Sequence, residues 1–155
     1  MARPACWAES NKKEPKMAAN GINTAGTKLE INNTGSTYIQ VKGFTSFSGM
    51  GGGSAAVIDT TNFDSTAKEK AMGLPDEGQV SVGLIFIAVD AGQLAMRTAR
   101  NTRAATKFRI TLANGTKFEF TAYVLTFERG AEQDDVVKVS SNLEVTGAMT
   151  ETAAA

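Results

Sequence analysis

Apolar and polar residues alternate along several segments of the chain, and no other sequence feature constrains its fold as strongly. A period of two is the side-chain period of a β-strand with one buried and one solvated face. The final segment shows the pattern most clearly. Its apolar set is Val137, Val139, Leu143 and Val145, and its polar set is Lys138, Ser140, Asn142 and Glu144. The alternation predicts an antiparallel sheet with one face in a core.

Turn residues separate the predicted strands. The dipeptide Asn114-Gly115 predicts a tight β-hairpin, and a turn at residues 32–35 joins two shorter strands. Residues 79–89 are predicted to form the strongest strand, and its near-continuous apolar half, with the apolar run at residues 84–89, predicts burial on both faces. A short strand at residues 57–61 is followed by a long polar connection, with one helical turn predicted at residues 65–72.

Residues 90–103 predict a single helix. Asp90 at the N-cap and Gln93 three residues later form a capping box. The predicted apolar stripe consists of Leu94, Ala95 and Ala99, and the opposite side carries Arg97, Arg100 and Arg103. Such a basic side is more often solvated or paired with acidic neighbours than bound to phosphates, and we favour that interpretation.

Strands on both sides of one helix predict a mostly β fold, a two-layer antiparallel β-sandwich with that helix flanking it. A length of 155 residues suits one domain. We predict an extended N-terminal arm at residues 1–20 and the sandwich domain at residues 21–147. Within the domain, residues 46–56 form a glycine-rich interaction loop, and residues 148–155 form a flexible C-terminal tail.

Composition argues against most enzyme classes. The chain contains no histidine, which removes the usual general base and histidine-ligated zinc. Its single cysteine, Cys6, has neither a disulfide partner nor an activating base. We expect no catalytic activity, no metal and no cofactor, with carboxylates converging from distant strands as the open alternative. Sixteen basic residues balance sixteen acidic ones, so no global positive field attracts DNA.

No segment approaches the roughly 18 apolar residues that a membrane span needs. The first residues, MARPACWAESNKKEPKM, lack the apolar stretch of a secretory signal. We therefore expect that the protein does not insert into a membrane and that it is synthesised in the cytoplasm.

The stretch GMGGGS at residues 49–54 is interpreted as a mobile loop. A phosphate loop would present backbone amides at a helix N-terminus, usually followed by lysine and Ser or Thr, whereas here a strand without lysine follows. Phe44, Phe47 and Met50 lie in the same loop, so we expect it to order against a partner. Trp7 in the polar N-terminal arm is expected to seek a pocket, on a partner or on its own domain.

The order of these features resembles the major tail tube proteins of long-tailed, siphovirus-type bacteriophages. The resemblance covers about residues 24–147 and comprises the glycine-rich loop between strands, the capped helix, the hairpin through LANGTKFEFTAYV and the closing segment DDVVKVSSNLEVTG. No single motif among these is specific.

The resemblance implies a β-sandwich with a flanking helix whose subunits join as hexameric rings. The inner sheets of a ring would close into a continuous β-barrel around a channel, and stacked rings would form the tail tube of the virion. Implied partners are further copies of the chain, a tape measure protein, a tail terminator and double-stranded DNA, which passes transiently and without sequence preference. The balanced charge agrees with a conduit that must not retain DNA.

The family does not specify individual site residues by signature, so the assignment of residues to the channel and to the subunit interfaces rests on strand alternation alone. Candidates for the channel lining are Gln40, Lys42, Gln79, Ser81, Lys138, Ser140, Asn142 and Glu144. Candidates for subunit interfaces are Trp7, Phe44, Phe47, Met50, Gly51, Gly52 and Gly53. The alternative function is a monomeric β-sandwich binding module of the adhesin or carbohydrate-binding type, which would need an exposed aromatic platform.

Overall fold

The computed structural model describes residues 21–32 and 35–154, and the predicted arm at residues 1–20, including Trp7, lies outside that part of the chain. The described residues form ten strands and one helix. In chain order these are β1 Lys28–Asn32, β2 Ile39–Val41, β3 Phe44–Ser48, β4 Ala55–Asp59, β5 Lys70–Pro75, β6 Gln79–Ile85, α1 Ala91–Thr102, β7 Thr106–Thr111, β8 Lys117–Val124, β9 Glu128–Gly130 and β10 Lys138–Thr152. The predicted mostly β fold with one helix is confirmed.

Eight strands form one antiparallel sheet in the order β2-β1-β7-β8-β10-β6-β3, with β9 paired to β10. This sheet curls into a half-barrel, so the layers of the predicted sandwich are parts of one continuous sheet. Strands β4 and β5 pair only with each other and form a separate two-stranded sheet.

The core lies on one face of the curled sheet, beneath α1. Strand β10 contributes Val139, Leu143 and Val145, which are all buried as the alternation predicts. Ser141 shares their face and is buried too, and its hydroxyl donates a 2.8 Å hydrogen bond to the carbonyl oxygen of Thr126. Val137 lies before the strand and is exposed, so the predicted apolar set begins one position too early.

The helix N-terminus is fixed by two side chains. Asp90 accepts a 3.0 Å bond from the backbone N–H of Gln93, which confirms the predicted N-cap, and a 3.2 Å bond from the backbone N–H of Lys42. The buried amide of Gln93 does not complete the capping box. It donates to the carbonyls of Lys42 (2.9 Å) and Ile85 (2.7 Å) and accepts from the N–H of Ile87 (3.1 Å). Gln93 thus joins the helix to the β2–β3 turn and to the end of β6.

The apolar stripe of the helix differs from the prediction at one position. Ala95 and Ala99 are buried as expected, whereas Leu94 is 55% exposed and Met96 is fully buried. The helix begins at Ala91, and its buried face comprises Gly92, Gln93, Ala95, Met96 and Ala99, so Leu94 lies outside that face.

The hairpin at Asn114-Gly115 is confirmed, with β7 and β8 paired from Thr106 opposite Ala122 to Thr111 opposite Lys117. Gly115 has φ of +91°, and the Asn114 side chain accepts a 3.0 Å bond from the N–H of Thr116. The predicted pairing of the two short strands before it is confirmed as well, because β1 and β2 are antiparallel neighbours.

Three predicted elements differ in the structure. The strand at residues 79–89 ends at Ile85, alternates between buried and exposed residues, and leaves Val89 exposed, so burial on both faces is wrong. The predicted helical turn at residues 65–72 is also wrong, because residues from Lys70 onward form β5. Strand β10 continues to Thr152 through an irregularity between Thr146 and Thr150, so residues 150–152 pair with β8 and the predicted flexible tail at residues 148–155 begins inside a strand.

Replacing Gln93 with alanine should lower the free energy of unfolding by about 2–4 kcal/mol, because buried backbone groups lose their partners. Urea unfolding measures this change, at a protein concentration below that at which the subunit assembles. The matched control is Thr98→Ala, an exposed position of the same helix, with an expected change of about 0.5 kcal/mol or less. Equal effects of the two substitutions would contradict the role given to Gln93.

Candidate functional site

A polar sheet face runs across β6 and β10. Their register places Ser140 opposite Gly83, Asn142 opposite Ser81, and Glu144 opposite Gln79. The Ser81 hydroxyl and the Asn142 side-chain oxygen are 2.8 Å apart across the strands. The structure therefore brings six predicted channel candidates onto one surface. They are Gln79, Ser81, Lys138, Ser140, Asn142 and Glu144.

Strand β3 extends this surface with two serines that the alternation of the sequence did not identify. Ser46 lies opposite Gly83 and Ser48 lies opposite Ser81. We name the resulting surface the uncharged sector. It comprises Ser46, Ser48, Gln79, Ser81, Gly83, Ser140 and Asn142.

Charged groups stand at the two ends of the uncharged sector. Glu144 lies at one end, and Lys138 at the other end forms a 2.5 Å ion pair with Asp135. The hydrogen bond from Lys138 is the main reason that the pKa of Asp135 is lowered, with the N–H of Val136 as a second donor. The charge of Lys138 is thus compensated inside its own subunit.

The other two channel candidates lie apart from this surface. Gln40 is on β2, opposite Glu30, at the far end of the sheet, and Lys42 lies in the turn that follows β2. The sheet around Gln40 carries charges that are paired. Arg109 contacts Glu30 at 2.6 Å and Glu119 at 3.6 Å, and the bond to Glu30 raises the pKa of the guanidinium.

Phe44 and Phe47 are not part of a loop. Both lie on β3, where their rings stack with centroids 6.0 Å apart, and both are partly buried against the core of their own subunit. Met50, just after the strand, also packs against that core. The expectation that these three side chains need a partner to become buried is therefore wrong, because β3 pairs with β6 and turns them inward.

The glycine run forms a tight crossing of the chain at the end of β3. Gly49 has φ of +83°, and a Cβ atom there would lie 2.4 Å from the carbonyl oxygen of Gln79. A Cβ atom on Gly53 would lie 1.5 Å from the carbonyl oxygen of Asp76, so no other residue fits. The N–H of Asp76 donates to the carbonyl of Ser54 at 3.1 Å and closes the crossing. Gly51 and Gly52 are exposed between these points.

A two-stranded hairpin leaves this crossing, and we name it the arm, residues 55–75. Val57 lies opposite Met72, and Ile58 lies opposite Ala71, so the two pairs lie on opposite faces. The large apolar side chains of the arm are all exposed. They are Val57, Ile58, Phe63, Met72 and Leu74. A two-stranded hairpin with apolar groups on both faces is only marginally stable alone, so we expect another surface to cover these side chains.

The sequence pattern did not predict the second strand of the arm, so the hairpin was not predicted either. The signal present was the apolar run Ala71, Met72 and Leu74 after the polar tip, which mirrors the Val57 and Ile58 pair of β4. The predicted interaction loop at residues 46–56 covers only the end of β3, the glycine crossing and the first residues of the arm.

The family model described as "Phage tail tube, TTP, lambda-like" matches residues 20–118 of the chain. The chain belongs to the lambda-like phage tail tube family. It is a structural protein of the tail tube and a component of the virion, as the resemblance implied. Comparison with curated proteins finds no match.

Solved tail structures share the fold. The chain is similar to a chain of the "Tail of empty GTA particle computed with helical refinement, C6 symmetry", with a TM-score of 0.65 and 14% identity, covering 86% of this chain and 100% of that one. It is also similar to the SPP1 tail tube, with a TM-score of 0.60 and 16% identity over 86% of this chain and 80% of that one. A third similar structure is the PVC sheath-tube complex of an extracellular contractile injection system, with a TM-score of 0.65 and 13% identity. This match covers 88% of this chain and 94% of that one.

Residues 21–32 and 35–154 contain neither a membrane-spanning helix nor a metal-binding cluster. No helix there has the length and apolar character to cross a membrane. No group of three or more Cys, Asp or Glu side chains there is arranged to hold a metal ion.

The two faces of β10 predict opposite results for lysine substitutions at neighbouring positions. Ser140→Lys should fold, because the side chain enters the exposed polar face. Val139→Lys should lose on the order of 4 kcal/mol or prevent folding, because position 139 is 1% exposed in the core. Circular dichroism and soluble yield of the two variants measure this difference. An insoluble Ser140→Lys beside a folded Val139→Lys would mean that the faces are assigned the wrong way round.

Proposed function

We propose that this tail tube protein polymerises as stacked hexameric rings, with the uncharged sector lining the channel through which double-stranded DNA is ejected into the host. The observation that carries the proposal is the uncharged sector itself, a continuous surface of serines, Gln79, Asn142 and Gly83 across β3, β6 and β10. The C6 symmetry of the GTA tail with the same fold supports six subunits in each ring.

The strands that carry this sector end in two unpaired edges. Among the described residues β3 pairs only with β6, and β9 pairs only with β10. Since β3 and β10 are both antiparallel to β6, and β9 is antiparallel to β10, β3 and β9 run in opposite directions. The β3 edge of one subunit can therefore join the β9 edge of the next in an antiparallel pair. Repeated around a ring, this pairing would close a continuous barrel and leave neither of these two edges unpaired.

The surface chemistry suits passage of DNA. A protein retains DNA mainly by neutralising phosphates with lysine and arginine, and each contact releases counterions. The uncharged sector has no such groups, and Lys138 at its border is paired with Asp135. Serine and asparagine side chains keep the wall hydrated, so DNA would slide without being held at any layer.

The arm is the element proposed to join subunits. Its apolar side chains have no cover within the described part of their own chain, and a further copy of the chain is the partner that a homopolymer always has available. The role requires no catalysis and no cofactor. A tape measure protein inside the tube and a terminator at its end remain the further partners that we propose from the family.

Removing the apolar groups of the arm should block assembly without unfolding the subunit. We expect Val57→Ser, Phe63→Ser and Met72→Ser combined to change unfolding free energy by about 1 kcal/mol or less, because all three side chains are exposed. Negative-stain imaging and sedimentation should then find unassembled subunits. Val89→Ser, which removes an exposed apolar group outside the arm, is the control and should still assemble. Tubes of normal length from the triple variant would contradict the role of the arm.

Added positive charge in the channel should slow DNA ejection. Asn142→Lys places one added charge per subunit on the uncharged sector, and stacked rings repeat it along the channel. Phage carrying the variant should assemble and adsorb normally but eject DNA more slowly, and higher salt should relieve the defect. The control is Thr98→Lys on the exposed side of α1. Equal ejection rates for the two variants would contradict the channel assignment.

A further inference from the structure

Four of the six arginines of the chain form one surface, which we name the arginine surface. Arg97, Arg100 and Arg103 come from α1 and its C-cap, and Arg129 comes from β9. Three of the four, together with Asn101 and Phe127, line a cavity of about 200 Å³, and Arg103 lies beside Arg100 and Asn101 in a neighbouring depression. No carboxylate lies within ion-pair distance of any of the four arginines in residues 21–32 and 35–154.

Arg129 is held in place although its charge is uncompensated. Its guanidinium carbon lies 4.8 Å from the ring centroid of Phe86 and 5.6 Å from that of Phe127. Arg100 donates a long, 3.4 Å hydrogen bond to the carbonyl of Leu125. Guanidinium groups that converge without a counter-charge repel one another, so the surface favours a partner that brings carboxylates.

The acidic counterpart lies in the segment that contains the arm. Residues 49–78 carry five acidic and two basic residues, a net charge of −3, whereas residues 91–103 carry three arginines and no acid. The acidic residues are Asp59, Asp64, Glu69, Asp76 and Glu77, and the basic ones are Lys68 and Lys70. None of these seven forms an ion pair within the described residues. A chain with no net charge is thus polarised into two unmatched surfaces.

Within one subunit the two surfaces are attached to opposite ends of β6. The arm segment enters β6 at Gln79, and the chain leaves at Ile85 toward α1. Seven residues of strand separate these ends by roughly 20 Å. Apolar side chains accompany the charges on both surfaces, because Leu94, Tyr123 and Leu125 are exposed beside the arginines. The two surfaces therefore match in charge and in apolar character.

We propose that the arginine surface of one subunit is the docking site for the acidic segment of a second copy of the chain, residues 49–78, which contains the apolar arm. The inference rests on the proposed function, in which the arm joins subunits, and it names the surface that receives the arm. Contact between two different surfaces on identical subunits is heterologous, and it continues as an open stack when the rotation does not close. The contact would thus join each ring to the next.

Two charge-reversed variants test the proposal. Variant one carries Arg100→Glu and Arg129→Glu, and variant two carries Asp64→Lys and Glu69→Lys. Each alone opposes like charges at the contact, so the concentration needed for assembly should rise at least about tenfold. An equimolar mixture should assemble again, because the acidic arm of variant one meets the native arginine surface of variant two, and the lysine arm of variant two meets the reversed surface. Negative-stain imaging and sedimentation measure assembly.

The control is Lys107→Glu with Lys117→Glu, which changes charge equally on exposed positions of other strands and should assemble normally. Circular dichroism melting should show that all variants fold. Normal assembly of variant one alone would overturn the proposal, as would failure of the mixture when both folded variants fail singly. The proposed function fails separately, if the unmodified protein forms no tubes or if the triple serine variant of the arm still forms them.

Discussion

The pairing of β10 with β8, β6 and β9 is the interaction on which the rest of the structure depends. This strand of 15 residues is the only described one that bonds to three others. Its alternation sends Val139, Ser141, Leu143 and Val145 into the core and leaves Ser140 and Asn142 on the opposite face. A shift of one residue in register would exchange the two faces, so the buried side chains of β10 also specify the polar surface.

The arm depends on a different kind of constraint. Its base is fixed by backbone crossings at Gly49 and Gly53, where a side chain would collide with the carbonyl oxygens of Gln79 and Asp76. Its strands, in contrast, gain almost no burial inside the subunit. The glycines therefore direct the hairpin away from the core rather than loosening the chain. A rigid base with an uncovered hairpin is suited to a contact completed by another molecule.

Local sequence signals predicted the elements whose stability is local. The Asn114-Gly115 turn and the Asp90 N-cap each rest on contacts between residues near in sequence, and both were confirmed. The alternation of β10 was confirmed as well, because the side-chain period of a strand is a local pattern although its pairing partner β6 is distant in sequence. Gln93 shows where this reasoning ends. Its side chain satisfies carbonyls of Lys42 and Ile85, and pairing across 51 residues cannot be deduced from a capping motif.

The same limit explains the errors at the candidate site. Phe44 and Phe47 looked like loop residues because no local pattern reveals that β3 pairs with β6. The arm was missed because its strands have no buried face, so the alternation that marks a core strand is absent. Ser46 and Ser48 joined the uncharged sector only through their register with β6. The sequence shows that residues 49–78 are acidic and residues 91–103 are basic. Only the structure shows that the two segments are attached to opposite ends of β6.

A cryo-electron microscopy reconstruction of tubes assembled from the purified protein, at a resolution that shows side chains, tests the central claim most directly. The account predicts six subunits per ring, with Ser81, Ser140 and Asn142 pointing toward the axis and each β3 edge paired with the β9 edge of the neighbouring subunit. A tube in which this face of β6 and β10 points outward, or is buried between subunits, would contradict the account.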